Sequence, residues 1–258
     1  MSVYKYIDKI VYVLLSFFNV LSNSYVLFDV KLRKILKRNG RLKTGKERCF
    51  IIGNGPSLKD VDLHLLESED TFVTNWFYKH NTDFSSKFYL AVDTAFFSGE
   101  GFDYVKDVYK KYPEMKFVLK YEAYKKEPSF WEMERTFFIF PKLFQYANYI
   151  RFDCEKNMTA CINVLLQCIQ VALYMGYKKI YLLGCDFNQY AQLRPNHFYD
   201  SDLDRTSSMG EDARWSSMAH FHHYALQKVA KKLGVEIINL TESSLIDAYP
   251  KDSLSNIL

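Results

Sequence analysis

Apolar positions in this chain fall into short runs separated by segments with helical spacing. "CFIIG" (49–53), "TFVTNWF" (71–77), "KFYLAVD" (87–93), "KFVLK" (116–120), "KKIYLLGCDF" (178–187) and "VEIINL" (235–240) are rich in β-branched and aromatic residues. That pattern predicts buried strands. "GFDYVKDVYKKYP" (101–113) carries an amphipathic helical stripe closed by Pro113. "MTACINVLLQCIQVALYMGY" (158–177) repeats apolar residues at three and four, with Thr159 placed to cap it and Gly176 to end it. "AHFHHYALQKVAKKLG" (219–234) predicts a further helix. Residues 121–150 are aromatic and irregular and yield no assignment, and 188–216 are polar without a period. Short apolar strands alternating with helices predict an α/β fold, a mostly parallel sheet covered on both faces. Ligands of such sheets bind beyond the carboxyl ends of the strands.

Composition sharpens this in two places. With 258 residues, 48% of them apolar and 25% charged, the chain is one large domain or a domain with an appendage. The net charge is +4, but residues 1–48 hold eleven Lys and Arg against three acids. The remainder is therefore mildly acidic, which argues against a nucleic-acid-binding body. The five cysteines form no CxxC pair and are odd in number, the pattern of reduced thiols in a cytoplasmic protein. Cys161 and Cys168 lie seven apart, a core spacing if both sit on the 158–177 helix.

Residues 1–47 read as a separate basic and apolar helical segment, and 48–258 as the body. The apolar centre Ile10–Phe18 is shorter than the roughly 20 residues a spanning helix needs, and no signal-peptide cleavage pattern follows. Two readings stand: a helix packed on the body, or a membrane-surface anchor in which Lys31, Arg33, Lys34, Lys37, Arg38 and Arg41 meet anionic lipid. The second places the protein on the inner face of the cytoplasmic membrane. Gly40 and Gly45 mark a linker.

The candidate chemistry lies at strand ends. In "IIGNGPSLKD", Gly53 and Gly55 permit close approach, Pro56 sets a turn, and Asn54 and Ser57 add polar side chains. A helix starting at Ser57 would aim free N–H groups at a ligand. The motif is neither GxGxxG nor a P-loop. "LLGCDFNQY" repeats the logic with Gly184, Cys185, Asp186 and Phe187, while Asn75 and Asp93 end two other strands. Together these point to a phosphate- or nucleotide-binding rim, with an ordinary strand-to-helix turn as the alternative for the Gly53–Leu58 loop.

"IIGNGPSLKDVD", "NWFY", "MTACINVLLQCIQVALYMGYKKIYLLGCDF" and "ESSL" resemble the bacterial sialyltransferases of glycosyltransferase family 42, from about Arg48 to Tyr249. The resemblance implies a Rossmann-like (GT-A-like) fold, a cytidine-monophosphate sugar donor and inverting transfer without a metal or other cofactor. The product would be a surface glycan such as lipooligosaccharide or capsule. Carried over, Gly53, Asn54 and Gly55 hold phosphate and ribose, Asn75 and Asp93 lie near the donor, and Gly184, Asp186 and Phe187 frame the cytidine. The Thr159–Ala160 helix start receives the sugar carboxylate. Asp93 stands for a family Asn, Asn188 for a phosphate-facing aromatic, and Asn157 for an Arg. Tyr190 or Tyr199 could replace the aromatic.

Such a transfer needs a base, and His fits. In "AHFHHYAL", His220 and His223 share a helical face. The resemblance places the base here, on His220 first and His223 second, with His197 a rival. Residues 188–218 read as a lid closing over donor. A terminal sugar, galactose by expectation, would be the acceptor, and a homo-oligomer fits. The alternatives are a metal-dependent glycosyl- or diphosphotransferase using "DVD" (60–62) or "DSDLD" (200–204), or a non-catalytic nucleotide-sugar-binding protein.

Overall fold

The structure is a computed structural model. It describes residues 2–79, 82–145, 149–192, 197–198 and 208–258, with side chains from residue 10 onward except residue 12. In chain order the helices are α1 (Ser2–Phe28), α2 (Val30–Lys37), α3 (Gly99–Lys111), α4 (Tyr121–Lys126), α5 (Val164–Met175) and α6 (Met209–Lys232). The strands are β1 (Arg48–Ile52), β2 (Thr71–Thr74), β3 (Phe88–Ala91), β4 (Lys116–Lys120), β5 (Thr136–Leu143), β6 (Asn157–Thr159), β7 (Lys179–Leu183) and β8 (Glu236–Asn239).

Among the described residues these strands form one parallel sheet in the order β6-β5-β4-β3-β2-β1-β7-β8. The chain runs outward from β1 to β6, then returns to lay β7 on the other side of β1. That reversal makes the β1–β7 seam a topological switch point, where the carboxyl ends of open α/β sheets leave a crevice. The Rossmann-like expectation therefore holds.

Period-two alternation divides each strand between two cores. Cys49 and Ile51 face the layer of α5 and α6, while Phe50 and Ile52 face the layer containing α2 and α3. Leu32, Ile35 and Leu36 of α2 lie in that second core, and Leu42 lies in the first. The stretch from α2 to β1 is thus tied into the body's core.

Several expectations need correction. The helix expected over 158–177 begins only at Val164, because Asn163 caps it by accepting the Leu166 N–H at 3.0 Å. Thr159 lies in β6 instead, and Cys161 precedes the helix. The end at Gly176 is as expected, with φ +99°. α6 begins at Met209, ten residues early, behind a Ser208–Glu211 capping box. The unassigned 121–150 stretch contains α4 and β5. Of the lid segment, Gln189–Ala191 is a single turn and Met209 onward is helix. Residues 193–196 and 199–207, with Tyr199 and "DSDLD", lie outside the described residues.

Candidate active site at the switch point

Two loops meet where β1 and β7 end. The Gly53 N–H donates to Leu183 O and the Gly55 N–H to Gly184 O, both at 2.8 Å. These amides are therefore engaged within the protein. The glycines serve instead as spacers: a Cβ on Gly53 would strike the Gly184 carbonyl, and one on Gly55 the Asp186 carboxylate. Ser57 is likewise turned inward. Its Oγ donates to Asp186 Oδ2 at 2.6 Å and its N–H points at the same carboxylate. The helix expected to start there is one 3₁₀ turn, Pro56–Asp60, so the expectation of free N–H groups at Ser57 is corrected.

The closing "ESSL" clamps the other loop. Ser243 Oγ donates to Asp186 Oδ1 at 3.2 Å, Ser244 Oγ to Cys185 O at 2.6 Å, and Leu245 N–H to Asp186 O at 2.9 Å. Cys185 donates its N–H to Thr241 Oγ1, and burial pushes its thiol up to about 12. Asp186 is therefore a structural tie for the rim.

The cavity so framed measures about 360 Å³, within the range of small-molecule sites. It is lined by Gly53, Asn54 and Gly55 from the β1 loop, by Asn75 and Asp93, by Gly184 to Gln189, by Ile162 to Leu165, and by His197. Asn75 and Phe187, non-glycine residues with φ of +50° and +53°, both stand on it. Backbone held in the left-handed region clusters at ligand sites.

Its polarity is specific. Asn54 Nδ2 donates to Thr74 O at 3.1 Å, and Asn75 Nδ2 to Asp93 Oδ2 at 2.6 Å. Each bond fixes the amide's orientation and leaves its oxygen buried without a partner, as is the Asn188 oxygen. Burial raises the Asp93 carboxyl above its ordinary value, against the pull of Asn75 and Lys120. Opposite stands the first turn of α5, where Val164 and Leu165 present N–H groups with no intrahelical acceptor. A helix N-terminus favours an anion. Among the described residues, no Lys or Arg lines the cavity.

This turn takes the place expected for Thr159 and Ala160. Thr159 is buried with its Oγ1 accepting the Arg151 N–H at 2.8 Å, and the Ala160 N–H donates to Leu143 O at 2.8 Å. Neither lines the cavity, because the helix starts four residues later than the apolar pattern suggests. Asn163 ahead of "VLLQCIQVALYM" was the available signal, a good N-cap before an apolar run.

The histidines separate. His220 stacks edge-on against Phe187 with centroids 5.0 Å apart, beside Tyr190 at 6.5 Å, with Nδ1 3.8 Å from Asp247 Oδ1. It adjoins the cavity wall. His223 is fully buried, its Nδ1 3.1 Å from the Tyr249 hydroxyl. Burial, with His220 and His222 nearby, lowers it to about 3. It has no route to a substrate hydroxyl, which corrects its place as second candidate base. His197 does line the cavity, 3.2 Å from Gln189 Nε2. For "DVD", Asp62 caps its own turn by accepting the His64 N–H. Among the described residues, no group of three His, Cys, Asp or Glu side chains could hold a metal.

Fold and cavity define a Rossmann-like α/β protein with a ligand-sized site at its switch point. No protein-family model matches the chain, and no curated protein matches it in sequence. Solved structures do match. One is the sialyltransferase CstII from Campylobacter jejuni in complex with the substrate analogue CMP-3FNeuAc, at 19% identity over 80% of this chain and 86% of that one, TM-score 0.50. Another is the monofunctional α-2,3-sialyltransferase Cst-I from the same organism, at 17% identity over 81% of each chain, TM-score 0.50. At such identities the likeness bears on the fold.

Proposed function

We propose that the chain is a glycosyltransferase that moves sialic acid, or a related nonulosonic acid, from a CMP-sugar to a terminal sugar of a surface glycan. One observation carries the reading: the cavity sets unpartnered amide oxygens opposite a helix N-terminus. The ligand that satisfies both must donate hydrogen bonds and also carry an anion. A nucleotide sugar does so through its hydroxyls and amine on one side and its phosphate or sugar carboxylate on the other. The surplus of acceptors favours cytosine, whose ring edge offers an amino group, over uracil, which offers a carbonyl at that position. The fold shared with CstII, solved with CMP-3FNeuAc, supports the same donor class.

In this reading Asn54, Asn75 and Asp93 receive ribose and base donors, and the N–H groups of Val164 and Leu165 meet the negative charge. The acceptor hydroxyl attacks the anomeric carbon opposite the phosphate, which inverts the centre. The C–O bond to phosphate breaks and CMP leaves with the electron pair. His220, on the cavity wall beside Tyr190, takes the hydroxyl proton. N–H dipoles stabilise the departing phosphate in place of a cation.

The test is thermal stabilisation against CMP-, UDP- and GDP-sugars, followed by CMP release in EDTA with a galactose-terminated acceptor. A ligand selective for the fold raises its melting temperature. The expected result is a shift with the CMP-sugar alone and turnover in EDTA. A preference for a diphosphate donor, or turnover restored only by Mg²⁺, would overturn the proposal.

A further inference from the structure

The first helix turns its polar side toward its own protein. Asn19 holds the Phe144 backbone from both ends, its Nδ2 donating to Phe144 O at 2.9 Å and its Oδ1 accepting the Phe144 N–H at 2.7 Å. Ser22 Oγ accepts from Asn157 Nδ2 at 2.9 Å, and Asn23 Oδ1 from Arg151 at 2.9 Å. These residues, with buried Val26, form the inward stripe of α1. The outward arc carries Ile10, Leu14, Phe17, Leu21, Leu27 and Phe28, all at least half exposed and Phe28 85% exposed. No Asp, Glu, Lys or Arg occurs from Ile10 to Phe28. Phe144, at the end of β5 next to the edge strand β6, extends the patch, its ring 6.3 Å from Phe18. Normal amphipathicity, apolar side in, is reversed.

At about 100° per residue, the exposed apolar arc covers roughly 200° of the helix circumference. A second protein helix packs along a narrower ridge-and-groove stripe. A fluid apolar medium wraps the whole arc. At Phe28 the chain bends by 89° into α2, whose Lys31, Arg33, Lys34 and Lys37 are exposed and form no ion pair with a described residue. No single described helix is long and apolar enough to cross a membrane. An exposed apolar helix followed directly by a helix of exposed cations that form no ion pair with a described residue has the profile of an interfacial segment on anionic lipid.

We propose that α1 lies in the interface of an anionic lipid bilayer, its outward arc among the acyl chains and the α2 cations on the headgroups, which holds the sheet's outer edge at the membrane. The proposal stands apart from the donor assignment, since none of these residues lines the cavity.

The full-length protein is sedimented with vesicles of phosphatidylcholine alone and of phosphatidylcholine mixed with phosphatidylglycerol, at low and high salt. Expected is pelleting with the mixed vesicles that weakens with salt. Leu14→Glu combined with Phe17→Glu loses it while keeping the wild-type circular dichroism and melting temperature, because both side chains face solvent in the free protein. Lys31→Gln with Arg33→Gln and Lys34→Gln weakens binding about fivefold per charge removed and flattens the salt dependence. Wild-type protein that stays in the supernatant, or binds both vesicle types equally, overturns the proposal. So does a wild-type dimer in solution that the Leu14→Glu, Phe17→Glu protein loses, which would make α1 a contact between two copies.

Discussion

Two clusters of buried polar groups, one at each rim of the sheet, are treated in opposite ways. At the amino-end rim, the Asp70 carboxylate receives Lys46 at 2.8 Å, Lys87 at 3.2 Å and the Tyr177 hydroxyl at 2.6 Å. Burial alone would raise its carboxyl, but these three partners hold it below its ordinary value. At the carboxyl-end rim, Asn54, Asn75 and Asn188 each keep a buried oxygen without a partner, and Asn75 and Phe187, the two left-handed non-glycine residues among the described residues, stand there. An unmade buried hydrogen bond costs on the order of 1–3 kcal/mol. The Asp70 cluster is satisfied and the Asn54, Asn75 and Asn188 cluster is not; Tyr112 and Arg135, at the amino ends of β4 and β5, also keep a buried atom without a partner, but only the asparagine oxygens line a ligand-sized cavity. The Asp70 cluster ties the fold together, and the carboxyl-end cluster is the one the proposed donor would fill.

Substitutions separate the two roles. The largest effect is expected at His220. With Gln there, turnover falls by about 10²–10⁴, while CMP affinity and melting temperature stay near wild type; unchanged turnover would send the base role to His197. Next is Gly55→Val, whose side chain would displace the Asp186 carboxylate and pry the two loops apart. Misplacement on that scale costs about 100-fold in rate, read as turnover with the CMP-sugar. Across the sheet, Asp70→Asn is expected to lower the unfolding free energy in urea by about 2 kcal/mol, the low side for a buried pair because both lysines are half exposed. CMP affinity of the folded protein should not move, and a parallel loss would merge the two rims into one unit.

Asn54→Ala sharpens the contrast further. CMP affinity should drop about tenfold, the value of one buried hydrogen bond, while the free protein loses no more than the single Nδ2–Thr74 bond, about 1 kcal/mol. A stability loss of several kcal/mol would mean the Asn54 oxygen already has a partner. The gentlest test is pH. His223 is held neutral, pulled from 6.5 to about 3, so the unfolded chain binds a proton here before the folded one does. Its contribution to stability is full above about pH 6.5 and fades as pH falls toward about 3. Asp70, with its lowered carboxyl, adds a loss at the acid end of the same range. His223→Gln should flatten the upper part of the curve, measured as melting temperature against pH.

Much of this was legible from residue order. The strands at "CFIIG", "KFVLK" and "KKIYLLGCDF" stand where their apolar runs are, and Asn54, Asn75, Asp93 and Gly184 do reach one cavity, because parallel strands deliver their ends to the same side. β5 escaped notice because "TFFIFPKL" is buried almost throughout, which removes the alternation that marks a half-exposed strand. Thr159 was misplaced because an apolar run marks burial and not the first helical turn. Asn163 decided that start through a side-chain bond of 3.0 Å to a backbone amide. Ser57 misled for a related reason. The hydroxyl suits a ligand or a carboxylate equally, and its partner, Asp186, lies 129 residues away.

By itself the sequence determined periodicity, hence element type, and the small polar residues that follow each strand; these are local consequences of side-chain size and branching. Tertiary structure alone decided which of those polar groups remain unsatisfied. Whether Ser57 bonds inward and the Asn54 oxygen does not, or whether α1 shows its apolar arc outward, depends on neighbours distant in the chain, and the free energy of a buried polar group is set by what ends up within about 3 Å of it.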